Sequence, residues 1–270
     1  MRDITFGQYF PAESALHRMD PRVKLVATFL YIIAVFIPHN WLGLFLAVAF
    51  FFVCLLLSKL PVGMVLRSVK PIIPLILLTS VLNVFYIDKG TLWVKWHFIE
   101  ITDVGVYTSI FIAIRIMCLI VGSSLMTYTT TPTALTDGME RLFSPLKVFH
   151  IHVHELAMMM TIALRFIPTL IEETDKIMAA QKARGADIEN GSAMQRIKAF
   201  VPILIPLFVS SFRRAYELAT AMECRCYQGG DGRTRMKQLH MRPSDVVALV
   251  VVIVFLGILI ATNFLGMNVL

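Results

Sequence analysis

Between Trp41 and Ser58 the chain runs eighteen residues without a charge, and between Val246 and Phe264 nineteen. At about 1.5 Å rise per residue, a helix needs roughly 20 such residues to cross the hydrocarbon layer of a bilayer. Hydrocarbon offers no partner to a free backbone N–H or C=O, so a run of this kind is confined to a helix that pairs its own backbone. Apolar residues make up 57% of the 270, and mean hydropathy is +0.72. That exceeds the roughly 45–50% apolar content of soluble domains. The sequence predicts an all-α integral membrane protein.

Taken in order, residues 1–22 are polar and mixed, with no apolar stretch before Val23 that would read as a secretory signal. Val23 to Ile37 is apolar apart from Lys24, which is expected to reach back to the headgroups. Pro38-His39-Asn40 turns the chain into Trp41–Ser58. After Lys59-Leu60-Pro61 comes a third apolar segment, Pro71 to Ile87, with Pro71 and Pro74 either in its first turns or kinking it. Asp88 to Asp103 reads as a polar loop, and Val104 to Tyr128 as a fourth span interrupted by Arg115. An arginine at that depth is a functional candidate, or it is paired with a helix neighbour or backbone carbonyls.

From Thr129 to Arg242 charges return, and no window appears long enough to span unaided. A last span, Val246 to Phe264, follows, with Ser244 or Asp245 as its N-cap. The expected layout is an N-terminal segment 1–22, a four-helix membrane region 23–128, a region of long amphipathic helices 129–242, and a membrane helix in 243–270. That makes about five spans in all. Region 129–242 holds fifteen Lys and Arg. The positive-inside rule therefore puts it, and the N-terminus, in the cytosol. The net charge of +7 is then topological, and nucleic acid is not an expected partner.

Within that region one unit occurs twice. Ile167-Pro168-Thr169-Leu170 opens a segment ending in Ala183-Arg184-Gly185, and Ile205-Pro206-Leu207-Phe208 opens another ending in Cys224-Arg225-Cys226. Each reads as a helix started by proline, carrying small residues along its length, with one arginine between small residues at its tip. Alanines permit close helix approach, so the two are expected to pack on each other. A guanidinium is a planar fork of donors suited to a carboxylate at an interface. A lone helix-end cation would read equally well as bonding its own last carbonyls; the repetition favours a lever whose tips engage another protein.

His150, His152, His154 and Glu155 lack the second ligand of a His-Glu-x-x-His site, and Cys224 and Cys226 are too few for a metal. No Gly-x4-Gly-Lys-Ser/Thr phosphate loop occurs. The chain is expected to bind no cofactor and to catalyse nothing.

Three features together resemble the transmembrane T component of energy-coupling factor transporters, a branch of ABC importers for vitamins and metal ions. They are the N-terminal residues Gly7-Gln8-Tyr9, Pro11, Ser14, Leu16-His17 and Asp20-Pro21-Arg22-x-Lys24-Leu25, the order of spans, and the paired x-Arg-x tips. The second tip departs from the commoner Ala-Arg-Gly but keeps small neighbours. The resemblance implies a non-catalytic subunit of the bacterial cell membrane. Ala183, Arg184, Gly185, Cys224, Arg225 and Cys226 would dock into two ATPase subunits that hold ATP and Mg2+. A separate, exchangeable substrate-binding membrane subunit would sit against the faces carrying Met158, Ala179, Ala180, Phe208, Phe212, Ala215 and Ala219. The competing expectations are a stand-alone secondary transporter and a membrane enzyme or assembly factor using Arg115 or the histidines.

Overall fold

The computed structural model describes residues 9–87, 91–96, 99–150, 152–186, 193–230 and 239–264. Among the described residues its regular structure is helical apart from one short hairpin, and it divides into two compact units, residues 1–141 with 238–270 and residues 142–237. The first unit thus joins the last membrane helix to the N-terminal ones.

In that unit, α1 (Ala15–Arg18) is followed by α2 (Pro21–Phe36) and α3 (Trp41–Ser58). Asp20 caps α2 by accepting from the Arg22 N–H, and Pro21 fills the first helical position, where its missing donor costs nothing. Asn40 caps α3 by accepting from the Gly43 N–H at 2.9 Å. α4 (Val62–Val69), a 3₁₀ turn at Lys70–Ile72 and α5 (Ile73–Tyr86) follow one another without a loop. The third apolar segment therefore begins before Pro71, and the two prolines mark a change of helix type within it. The expected loop 88–103 contains an antiparallel hairpin, β1 (Leu92–Trp96) and β2 (Ile99–Thr102). Trp, Val and Ile in that stretch favour extended backbone. α6 (Asp103–Thr129), α7 (Pro132–Phe143) and α10 (Pro243–Phe264) complete the unit.

α6 lies at the centre, packed against α2, α3, α4 and α5. One core cluster gathers Tyr31, Ala34, Val35, Ala47, Cys118, Phe255 and Leu259 where α2, α3, α6 and α10 meet. A second gathers Leu55, Val65, Val69, Val121, Leu125 and Tyr128 between α3, α4 and α6. Lipid tails are as apolar as leucine, so such helices associate by close fit rather than by escaping water. Gly122 provides that fit: a Cβ there would stand 2.1 Å from the Tyr31 ring.

Polar side chains tie the helix ends. The Asp245 carboxylate accepts from the Asp20 N–H at 3.3 Å and from the Arg242 N–H at 2.8 Å. Asp245 was expected as an N-cap; it stands three positions into the turn and reaches back to the residue that opens it, the second half of a capping box. At the far end the Asn263 side chain donates to the Ile37 carbonyl, and the Asn40 side chain donates to the Thr262 carbonyl at 2.7 Å. α2 and α10 are thereby parallel.

In the second unit, a 3₁₀ turn (Ser144–Phe149) precedes α8 (Val153–Ala183) and α9 (Ala193–Cys224). Two expectations are overturned here. Pro168 and Pro206 lie inside these helices rather than starting them, and Pro202 lies inside α9 as well. Both helices also contain a window apolar enough to cross a bilayer, with mean hydropathy 1.3 in Val153–Ala183 and 1.2 in Lys198–Cys224. Their charges crowd into part of each helix and leave the remainder apolar. Among the described residues six helices meet that length and composition, the others being Trp41–Ser58, Val62–Tyr86, Asp103–Thr129 and Pro243–Asn263. α2, at 16 residues, is shorter than the roughly 20 a span requires.

Candidate functional site

The two arginine tips are built alike. At the end of α8, the Gly185 N–H donates to the Lys182 carbonyl and the Ala186 N–H to the Gln181 carbonyl, both at 3.0 Å. At the end of α9, the Cys226 N–H donates to the Glu223 carbonyl at 2.8 Å and the Tyr227 N–H to the Met222 carbonyl at 3.0 Å. Each pair of bonds is the Schellman arrangement, with the arginine as the capping residue and the next residue left-handed. Gly185 has φ +85° and Cys226 has φ +56°. The sequence supplied glycine for this geometry at one tip; at the other a cysteine adopts it.

The helices' last carbonyls are thus satisfied by backbone. Arg184 and Arg225 are exposed, and neither guanidinium has a hydrogen bond or ion pair among the described residues. Ala183, Gly185, Cys224 and Cys226 are exposed beside them.

Three contacts fix how α8 and α9 run. The Glu173 carboxylate accepts from the Ser210 hydroxyl at 2.6 Å and pairs with Arg214. The Gln181 amide donates to the Pro202 carbonyl at 3.3 Å. The Gly230 backbone lies against the His154 ring, where a Cβ would come within 2.3 Å. All three belong to one antiparallel register, so Arg184 and Arg225 stand at opposite ends of the pair. Arg184 falls opposite residue 200 or so, which leaves about 25 residues of α9, or roughly 37 Å of straight helix, between the two tips.

The Gln181 contact follows from a proline. Pro206 has no N–H, so the carbonyl four residues earlier, that of Pro202, loses its helical donor. Gln181 supplies one from the neighbouring helix. Sequence reading missed Gln181, Glu173 and Ser210. The available signal was Pro202 and Pro206 four apart, which leaves a carbonyl in want of a donor.

The faces expected to receive a second membrane subunit are largely open. Phe208 is 61% exposed and Phe212 70%, their rings stacked at 6.3 Å, and Ala179, Ala180, Ala215 and Ala219 are exposed; Met158 is half-buried. These alanines therefore do not lie between α8 and α9, which meet through the polar clasp instead. His150 is the left-handed cap of the 3₁₀ turn, His152 precedes α8, and His154 packs on Gly230, so the three do not converge. Arg115 lies over the Phe111 ring at 4.7 Å and donates to the Pro38 carbonyl, the backbone pairing that was one of its two readings.

Residues 12–237 match the family model CbiQ, described as cobalt transport protein. The chain is 51% identical to the energy-coupling factor transporter transmembrane protein EcfT of Ruminiclostridium cellulolyticum, over 95% of this chain and 96% of that protein. It is 49% identical to that of Clostridium kluyveri, over 97% and 98%, and 44% identical to that of Bacillus subtilis, over 96% and 98%. The chain belongs to the CbiQ/EcfT family. It is therefore a multi-pass membrane component of a transporter, the T component of an energy-coupling factor system. Both arginine tips fall within the matched residues.

Proposed function

We propose that the chain transmits ATP-driven motion from two cytosolic ABC-type ATPase subunits to a separate substrate-binding membrane subunit. The observation that carries this is the pair of equivalent tips at opposite ends of one antiparallel helix pair. Each presents an arginine with no partner among the described residues on a backbone-capped end. A fork of donors on such an end suits a carboxylate in a groove, and two tips so far apart suit two separate grooves. The basic residues 129–242 support placing both tips in the cytosol. ATP and Mg2+ belong to the ATPases, and this chain catalyses nothing. The open face around Phe208, Phe212, Ala215 and Ala219 takes the substrate subunit, whose cargo is a vitamin or metal ion that this chain does not itself select.

The test is charge reversal at the tips. Arg184→Glu and Arg225→Glu together are expected to abolish co-purification with the ATPases and ATP-dependent uptake, each alone weakening both. Normal uptake by the double variant, or transport by the chain reconstituted alone without ATP, would overturn the proposal. Ala215→Trp should release the substrate subunit while the ATPases stay bound.

A further inference from the structure

The first unit contains a cavity of about 330 Å³ walled by residues 24–31 of α2, 50–57 of α3, 122–129 of α6 and 244–252 of α10. Each wall runs eight or nine residues along its helix, so the cavity is a slot roughly 11 Å long lying parallel to the helices. Its deep end is closed by the rings of Tyr31 and Phe50, stacked with centroids 6.2 Å apart. Its other end carries Lys24, Thr129 and Ser244. The buried Lys24 ammonium donates to the Thr129 carbonyl at 2.8 Å, the Thr130 hydroxyl at 3.2 Å and the His17 carbonyl at 3.4 Å, and the Asp245 carboxylate attracts it as well.

The slot opens sideways. Tyr31, Leu125 and Val252 at its back are buried, whereas Val53 and Leu57 on α3 and Val247 and Val251 on α10 are exposed. A mouth flanked by exposed apolar residues of two membrane helices faces the bilayer. Water in a cavity needs two to four polar partners, which the middle and floor of this slot do not offer. Its volume falls within the range of ligand pockets, roughly 300–1,000 Å³. The substance beside the mouth is lipid, in molecules with an apolar chain at one end and an anionic phosphate at the other. The slot has the same sequence along its length, apolar at the floor and polar at the end that carries Lys24, Thr129 and Ser244.

We infer that this slot holds one acyl chain of a bilayer phospholipid, inserted between α3 and α10 with its methyl end against Tyr31 and its headgroup at the Lys24 end. α3 and α10 touch through the stacked rings of Phe50 and Phe255, and the acyl chain supplies dispersion contacts along the slot beyond that stack. This site is independent of the arginine tips and of any ATPase.

The full chain is reconstituted in phosphatidylglycerol and phosphatidylethanolamine vesicles containing traces of phosphatidylglycerol with a diazirine near either end of one acyl chain. After illumination, adducts are mapped by peptide mass spectrometry. The methyl-end probe is expected to label Tyr31 and Phe50, and the carbonyl-end probe Met126 and Leu57. Ala248→Phe, which fills the slot, should cut these adducts at least tenfold and leave those on the outward Phe45 unchanged; Ala27→Met is the smaller change should the first fail to fold. Slot adducts unaffected by both variants, the same residues labelled by both probes, labelling of outward residues alone, or a protein cross-linked in the slot would overturn the inference.

Discussion

Replacing Gly185 by alanine and Cys226 by glycine is expected to move the two tips in opposite directions. Nothing lies within 4 Å of a Cβ built on Gly185, so alanine meets no clash and the whole cost is backbone strain at φ +85°. For an L-residue in the left-handed region that cost is about 1 kcal/mol, or about fivefold in the equilibrium between capped and frayed ends. The Ala186 amide, which donates to the Gln181 carbonyl, reports it directly. Its hydrogen exchange in lipid nanodiscs should speed up about fivefold in Gly185→Ala. Cys226 already bears the strain at φ +56°. Glycine removes it but gains freedom in the frayed state, leaving a net gain of about 0.5 kcal/mol and exchange at the Tyr227 amide slower by about twofold. Under the docking proposed above, a frayed tip must first be re-ordered, so ATPase co-purification should fall with Gly185→Ala and not with Cys226→Gly. Unchanged exchange at Ala186, or faster exchange at Tyr227, would refute the claim that left-handed backbone sets the rigidity of these tips.

Asp245→Ala strands the Asp20 and Arg242 N–H groups and should cost about 2–4 kcal/mol of unfolding free energy in nanodiscs, with Asp245→Asn costing less because one acceptor survives. Gly122→Ala drives a methyl into the Tyr31 ring and should cost about 1–3 kcal/mol; the added change Tyr31→Leu should recover part of that, and a strictly additive double variant would disprove the contact. His17 is held below its ordinary 6.5, mainly by burial and further by the Lys24 ammonium, against the opposing Phe10 carbonyl. The unfolded chain therefore binds this proton more readily. Stability is full above pH 6.5 and declines as pH falls from there through the lower folded value. Thermal unfolding between pH 7.5 and 5 should show the decline, and His17→Gln should remove that component.

The membrane helices were legible because lipid imposes one rule on every residue of a span, and Trp41–Ser58 and Val246–Phe264 obey it without interruption. The tips were legible because Gly185 announces a left-handed stop and the arginine recurs at Arg225. The prolines were misread. In water an interior proline breaks a helix, whereas α8 runs through Pro168 and α9 through Pro206, the two read as helix starts. The pairing of α8 with α9 was illegible for a different reason. Glu173, Gln181 and Ser210 are ordinary surface residue types, and nothing local marks partners 21 to 41 positions away.

Under the coupling function proposed above, the prolines of α9 also decide where such a lever bends. Pro202 and Pro206 remove the donors that the carbonyls of Lys198 and Pro202 would otherwise receive, so two successive turns of α9 are its softest part. Gln181 crosses to that part from α8, three residues before Arg184. Farther from this tip, Glu173 holds Ser210 and Arg214 in a second fastening. A displacement entering at Arg184 therefore meets the flexible turns of α9 before it meets the clasp. One entering at Arg225 must pass a proline-free helix from Cys224 back to Leu207 first. Two tips with the same cap thus lead into unequal helices, and the bend belongs beside Arg184.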